Sequence, residues 1–168
     1  METIRYNVFE TNSSSTHALT IGRNEDNYTA RGNKIKVVFS NTDNMYILNT
    51  LNEKVSYLVS HIVRLYISGA EDYEDLIDQV KQDFEFKILK DYVKEHFNKE
   101  IVFPKTYKGD IEDIIYIDHQ LIERTLDDVL YDILYDNEDK EQNLDIPIEQ
   151  KLDMVLSPKR DIMFGRDG

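Results

Sequence analysis

The run from Met45 to Ile67 constrains this chain more than any other. Ile47, Leu48, Leu51, Val55, Leu58, Val59, Ile62, Val63 and Tyr66 recur at helical steps across about twenty residues. A helix so apolar needs cover on several sides, so it predicts a core helix, ending near Ser68-Gly69-Ala70, where Gly69 suits a C-terminal cap.

The residues before it follow a different period. Ile4–Phe9 alternates, Ala18–Gly22 is a second candidate strand, and Lys34–Ser40 (KIKVVFS) is rich in β-branched and aromatic residues between Arg31-Gly32-Asn33 and Asn41-Thr42-Asp43-Asn44. Beyond the core helix, Glu71–Val80 reads as a short acidic helix. Phe86, Leu89, Val93 and Phe97 mark one stripe of the next helix. Glu100–Pro104 reads as a strand, and Ile111–Asp118 as an alternating one with a helix as the alternative. Gln120–Asp139 reads as a helix buried along Ile122, Leu126, Val129, Leu130 and Ile133. Pro147 opens a last helical turn or two, and Arg160–Gly168 a final strand or tail. The expected class is α+β: a small antiparallel sheet packed against several helices, in a single domain spanning 1–168 with an acidic face from about 110 to 145.

With 168 residues and 40% hydrophobic content, including eleven Tyr and seven Phe, the chain has enough apolar surface to build a core. No cysteine is present, which excludes disulfides, thiolate metal sites and a thiol nucleophile. No secretory segment opens the sequence, and the longest apolar runs are broken well short of a membrane span, so a soluble cytoplasmic protein is expected.

Charge is the second informative feature. The formal net charge is −13, which argues against direct binding to nucleic acid and makes a basic partner the natural complement. The excess is not spread. Residues 1–70 carry six acids and seven bases, and residues 86–109 carry three acids and six bases. From Glu71 to Glu85 there are seven acids, among them Glu71, Asp72, Glu74, Asp75 and Asp78, against Lys81 alone. From Asp110 to Asp145 there are thirteen: Asp110, Glu112, Asp113, Asp118, Glu123, Asp127, Asp128, Asp132, Asp136, Glu138, Asp139, Glu141 and Asp145. Only Arg124 and Lys140 oppose them, for a net of −11.

Asp128, Asp132 and Asp136 fall four residues apart, in one row with roughly 6 Å between neighbours on a helix. Glu123 and Asp127 form a second row, and Tyr131 and Tyr135 interleave with the carboxylates. Like charges at that spacing destabilise a helix, and Asp near its C-terminus opposes the macrodipole. The arrangement therefore suits a line of carboxylates standing in for phosphates in a basic groove, weighed against the plainer reading of a solvated polar face. Divalent metal binding by Asp127 with Asp128, or by Glu112 with Asp113, lacks any EF-hand spacing, and neither metal nor cofactor is expected.

Phe9–Ile21 (FETNSSSTHALTI) offers hydroxyls at Ser13, Ser14, Ser15 and Thr16 beside His17. No nucleophile elbow accompanies them, and the cluster reads more simply as a turn linking the first two strands. No glycine loop for phosphate is present, so no enzyme is expected.

The FETNSSSTH stretch resembles small proteins encoded by phages of Gram-positive bacteria, and the acidic character and length of the whole chain resemble the sliding-clamp inhibitors of Twort-type staphylococcal phages. That resemblance implies a homodimer in the host cytoplasm. It would occupy the DNA channel of the bacterial sliding clamp (DNA polymerase III beta subunit) and block replication by DNA mimicry, without nucleic-acid or membrane binding. Clamp clients usually dock through a short peptide, which Gln150–Met154 (QKLDM) matches poorly and Gln120–Arg124 (QLIER) only in its first half. The alternatives are mimicry aimed at a nuclease, nucleoid protein, RNA polymerase or CRISPR effector, and, from another class, a small nucleotide-acting enzyme using Ser13–His17.

Overall fold

The computed structural model describes residues 15–21, 27–39, 46–115, 125–134 and 146–166. In chain order the elements are β1 (Ser15–Ile21), β2 (Lys34–Lys36), β3 (Tyr46–Leu48), α1 (Leu51–Tyr66), α2 (Tyr73–Gln82), α3 (Phe84–Phe97), β4 (Glu100–Val102), α4 (Leu126–Leu134), α5 (Ile148–Val155) and β5 (Arg160–Arg166), with 3-10 turns at Ile67–Gly69 and Ile111–Asp113. The class is α+β.

Helix α1 is the hub. Val55, Leu58, Val59, Ile62 and Val63 are completely buried, and α2, α3, α4 and β2 all pack on it. Its start is fixed chemically: Thr50 Oγ1 accepts from Glu53 N at 3.2 Å while Glu53 Oε2 accepts from Thr50 N at 3.0 Å, a reciprocal capping box. That box places the first helical residue at Leu51. Ile47 and Leu48, which share the apolar period, lie instead in β3, because Tyr46–Leu48 pairs with β5. A period-3.6 pattern running into a strand cannot be divided by periodicity alone.

The antiparallel sheet has the order β1-β5-β3, so the last strand is central. Leu19 and Leu48 flank Ile162, which is fully buried. Strand β1 begins at Ser15, so Ser15, Thr16 and His17 belong to a ladder opposite Arg166, Gly165 and Phe164 and not to a turn; Ile4–Phe9, Ser13 and Ser14 lie outside the described residues. A second sheet pairs β2 and β4 in parallel, Ile35 opposite Ile101. A parallel pair needs a long crossover, here supplied by α1 to α3. The expected strand at Ile111–Asp118 is not formed over its described part: Ile111–Asp113 is a 3-10 turn, and it delivers Ile114 and Ile115 to the core.

Buried polar groups tie the layers together. Lys54 Nζ, wholly buried, donates to the carbonyls of Val155 (3.1 Å), the last residue of α5, and of Ser157 (3.0 Å) and Arg160 beyond it, and sits 4.8 Å from the Tyr28 ring centroid. Burial pulls its ammonium down to about 8, with Asp161 opposing. Lys99 likewise donates to Ala30 O (2.7 Å) and Gly32 O. It follows Asn98, whose φ of 52° ends α3 in the left-handed region. Among the described residues no helix is long and apolar enough to cross a membrane.

Candidate functional site

The two acidic windows meet at the base of α4. Glu85, in the first turn of α3, reaches across and accepts from the backbone N–H of Leu126, the first residue of α4. Burial raises the Glu85 carboxyl above its ordinary value; the N–H groups of Leu126 and Asp127 oppose that, and the charges of Asp83 and Asp127 add to it. Asp128 completes the cap locally. Its Oδ2 accepts from Thr125 Oγ1 (2.7 Å) and Thr125 N (3.3 Å), while Thr125 Oγ1 accepts from Asp128 N (3.2 Å).

Asp127 and Asp128 therefore occupy the first turn of a helix, where the macrodipole favours negative charge. Asp127 is also an ion-pair partner: its Oδ1 lies 2.7 Å from Lys151 Nζ, a lysine with 5% of its side chain exposed against 47% for the aspartate. Part of the second window's charge thus has a structural use. On the outer part of α4, Asp128 is exposed and Asp132 half-buried, with Leu126, Val129, Leu130 and Ile133 facing the core as the period requires. Asp113 is exposed in its 3-10 turn. Asp118, Glu123, Asp136, Glu138, Asp139 and Glu141 lie outside the described residues, so of the two rows Glu123 and Asp136 are not placed.

The first window is fully described. Asp72 caps α2, accepting from Asp75 N at 2.9 Å. Asp75 Oδ2 accepts from Glu71 N and Gln79 Nε2, both at 2.9 Å. Glu71, Glu74 and Asp78 are exposed. At the α2–α3 bend, Asp83 closes one helix and opens the next: its Oδ1 accepts from Phe86 N (2.7 Å) and its Oδ2 from Tyr66 Oη (2.6 Å). That bond is the main reason the Tyr66 phenol is pushed up to about 12.

The bend frames a surface pocket of about 530 Å³ lined by Tyr66, Asp75, Asp78, Gln79, Gln82, Asp83 and Phe84, with no lysine or arginine among them. Phe84 is 75% exposed. The sequence reading did not single out Phe84, Asp83 or Glu85, and counted Tyr66 only in the apolar stripe of the core helix, whereas it is half-buried and lines the pocket. A signal for Phe84 was present, since the stripe Phe86, Leu89, Val93, Phe97 leaves it off the buried face. A long-range acceptor such as Glu85, 41 residues from Leu126, leaves no local trace.

Elsewhere, Tyr92 Oη donates to Asp153 (2.5 Å), which ties α3 to α5, and its ring stacks on His96 of the same helix, 4.0 Å between centroids. Among the described residues no group of three or more His, Asp or Glu is arranged to hold a metal ion. No family model matches this chain, and neither a curated protein nor a solved structure resembles it at a significant level.

Proposed function

We propose that this chain is a non-enzymatic, phage-encoded inhibitor that binds a basic DNA-handling protein of the host and competes with DNA for it. The observation that carries the reading is the segregation of charge. Glu71, Glu74 and Asp78 stand exposed on and beside a short helix, Asp128 on a second, and each helix has a side-chain cap at its N-terminus. Carboxylates carried on helices suit a groove that normally holds phosphates, because affinity there comes from charge complementarity and the helical backbone is already ordered. The Asp127–Lys151 pair gives that carboxylate a structural use and leaves the exposed acids as the contact set, Asp128 among them although it also caps α4.

The partner we name is the bacterial sliding clamp, met as a homodimer in the host cytoplasm, on the strength of the resemblance carried by FETNSSSTH and the character of the chain. The test is binding of purified protein to the clamp at two salt concentrations, with duplex DNA competing in a loading assay. Tight, salt-sensitive binding that blocks loading supports the proposal. Absence of binding at low salt removes the clamp, and capture of a nuclease, nucleoid protein, RNA polymerase or CRISPR effector in its place would redirect the mimicry.

A further inference from the structure

We propose that the pocket at the α2–α3 bend is a socket for an arginine side chain of the basic partner, with Phe84 as the surface on which the guanidinium stacks. The inference rests on the function proposed above and names the contact it would use.

Phe84 is the most exposed large apolar residue among those described, at 75%, in a fold that buries Phe86 two residues later. Its position is set by Asp83, which ends α2 and caps α3 without an intervening loop, so the first side chain of α3 stands at the rim of the concavity. A lone exposed aromatic needs no explanation. One that lines a pocket of about 530 Å³ together with three carboxylates and no cation has a specific chemical complement. An aromatic face and carboxylates within one pocket match a planar, weakly hydrated cation that can stack and donate several hydrogen bonds at once. That describes arginine better than lysine, whose ammonium is compact and strongly hydrated.

The socket is also preorganised. Asp83 is fixed by Phe86 N and Tyr66 Oη, and Asp75 by Glu71 N and Gln79 Nε2. Each of these carboxylates has spare lone pairs while its rotamer is already held, which lowers the ordering cost of binding. The mixed lining fits a stacked side chain inserted from a partner surface. Arginine is also among the residues enriched at the centres of protein interfaces.

The test titrates the full-length 15N-labelled protein with blocked Gly-Arg-Gly and, separately, blocked Gly-Lys-Gly, and follows amide shifts. The proposal expects saturable shifts centred on Gln79, Gln82 and Phe84, larger and tighter for the arginine peptide. Phe84→Ser should weaken arginine binding about three- to fivefold and Phe84→Tyr restore it, with the far-UV spectrum unchanged in both. Equal response to the two peptides, shifts confined to other surfaces, or an unaltered Phe84→Ser titration would overturn it. Clamp binding by the same variants separates this inference from the reading beneath it. A clamp that binds wild type and Phe84→Ser equally removes the socket and leaves the function. A peptide response without clamp binding keeps the socket and removes the clamp.

Discussion

Lys151 Nζ and Asp127 Oδ1 stand 2.7 Å apart, joining α5 to the first turn of α4 across 24 residues of chain. The lysine is almost entirely buried and also lies over the Tyr131 ring, 5.9 Å from its centroid. A buried ammonium needs its counter-charge more than a half-exposed carboxylate needs its lysine.

Asp127→Asn should therefore destabilise the fold by about 1–2 kcal/mol, read as a fall in denaturation midpoint at unchanged slope. Asp78→Asn, at an exposed position, should stay within about 0.5 kcal/mol of wild type. Equal effects of the two would mean that the Lys151 pair does not hold α4 in place.

Glu85 separates hydrogen bonding from charge. Its folded-state pKa is raised, so the folded protein binds that proton more tightly than the unfolded chain does, and the group's contribution to stability falls as pH rises through the ordinary carboxylate range. Glu85→Gln keeps an acceptor for Leu126 N and should be neutral or stabilising at pH 7, with a flatter stability profile from the ordinary glutamate value upward. Glu85→Ala leaves that N–H without its acceptor and should cost about 1 kcal/mol. Chemical denaturation across pH checks both.

Lys54 carries the opposite sign. A lysine lowered to about 8 when folded releases its proton before the unfolded chain does, so its contribution to stability rises between pH 8 and the ordinary lysine value of 10.5. Tyr28 and Tyr92, both raised chiefly by burial, work against this above pH 10, where the folded state holds their protons longer. Lys54→Met should remove the rise between pH 8 and 10. It should also cost about 3 kcal/mol at pH 7, because three backbone carbonyls lose their shared donor.

What the sequence revealed and what it hid follow from the range of the forces involved. Helices α2, α3 and α5 and strand β4 were legible because period, caps and Pro147 are local. So was the α+β class. The start of α1 was misplaced into β3, since pairing of Ile47 with Met163 is set by a strand more than a hundred residues away. The acidic row on α4 was legible as charge, but its partial neutralisation by Lys151 was not, because that contact depends on how α5 packs. Reading Asp127 and Asp128 with the carboxylates at the other end of the segment also hid that these two lie at the favourable pole of the helix.

The central claim is that exposed carboxylates on α2 and α4 make the contact with a basic DNA-handling partner. Its most direct test is the salt dependence of clamp affinity for wild type and for a variant of four exposed acids, Glu71→Gln, Glu74→Gln, Asp78→Asn and Asp128→Asn; Asn at 128 can still accept from Thr125 Oγ1 and N. We expect wild-type affinity to fall steeply with salt, and the variant to bind at least tenfold more weakly at low salt, with a shallower slope and an unchanged far-UV spectrum. Identical affinity and slope for the two proteins would contradict the account.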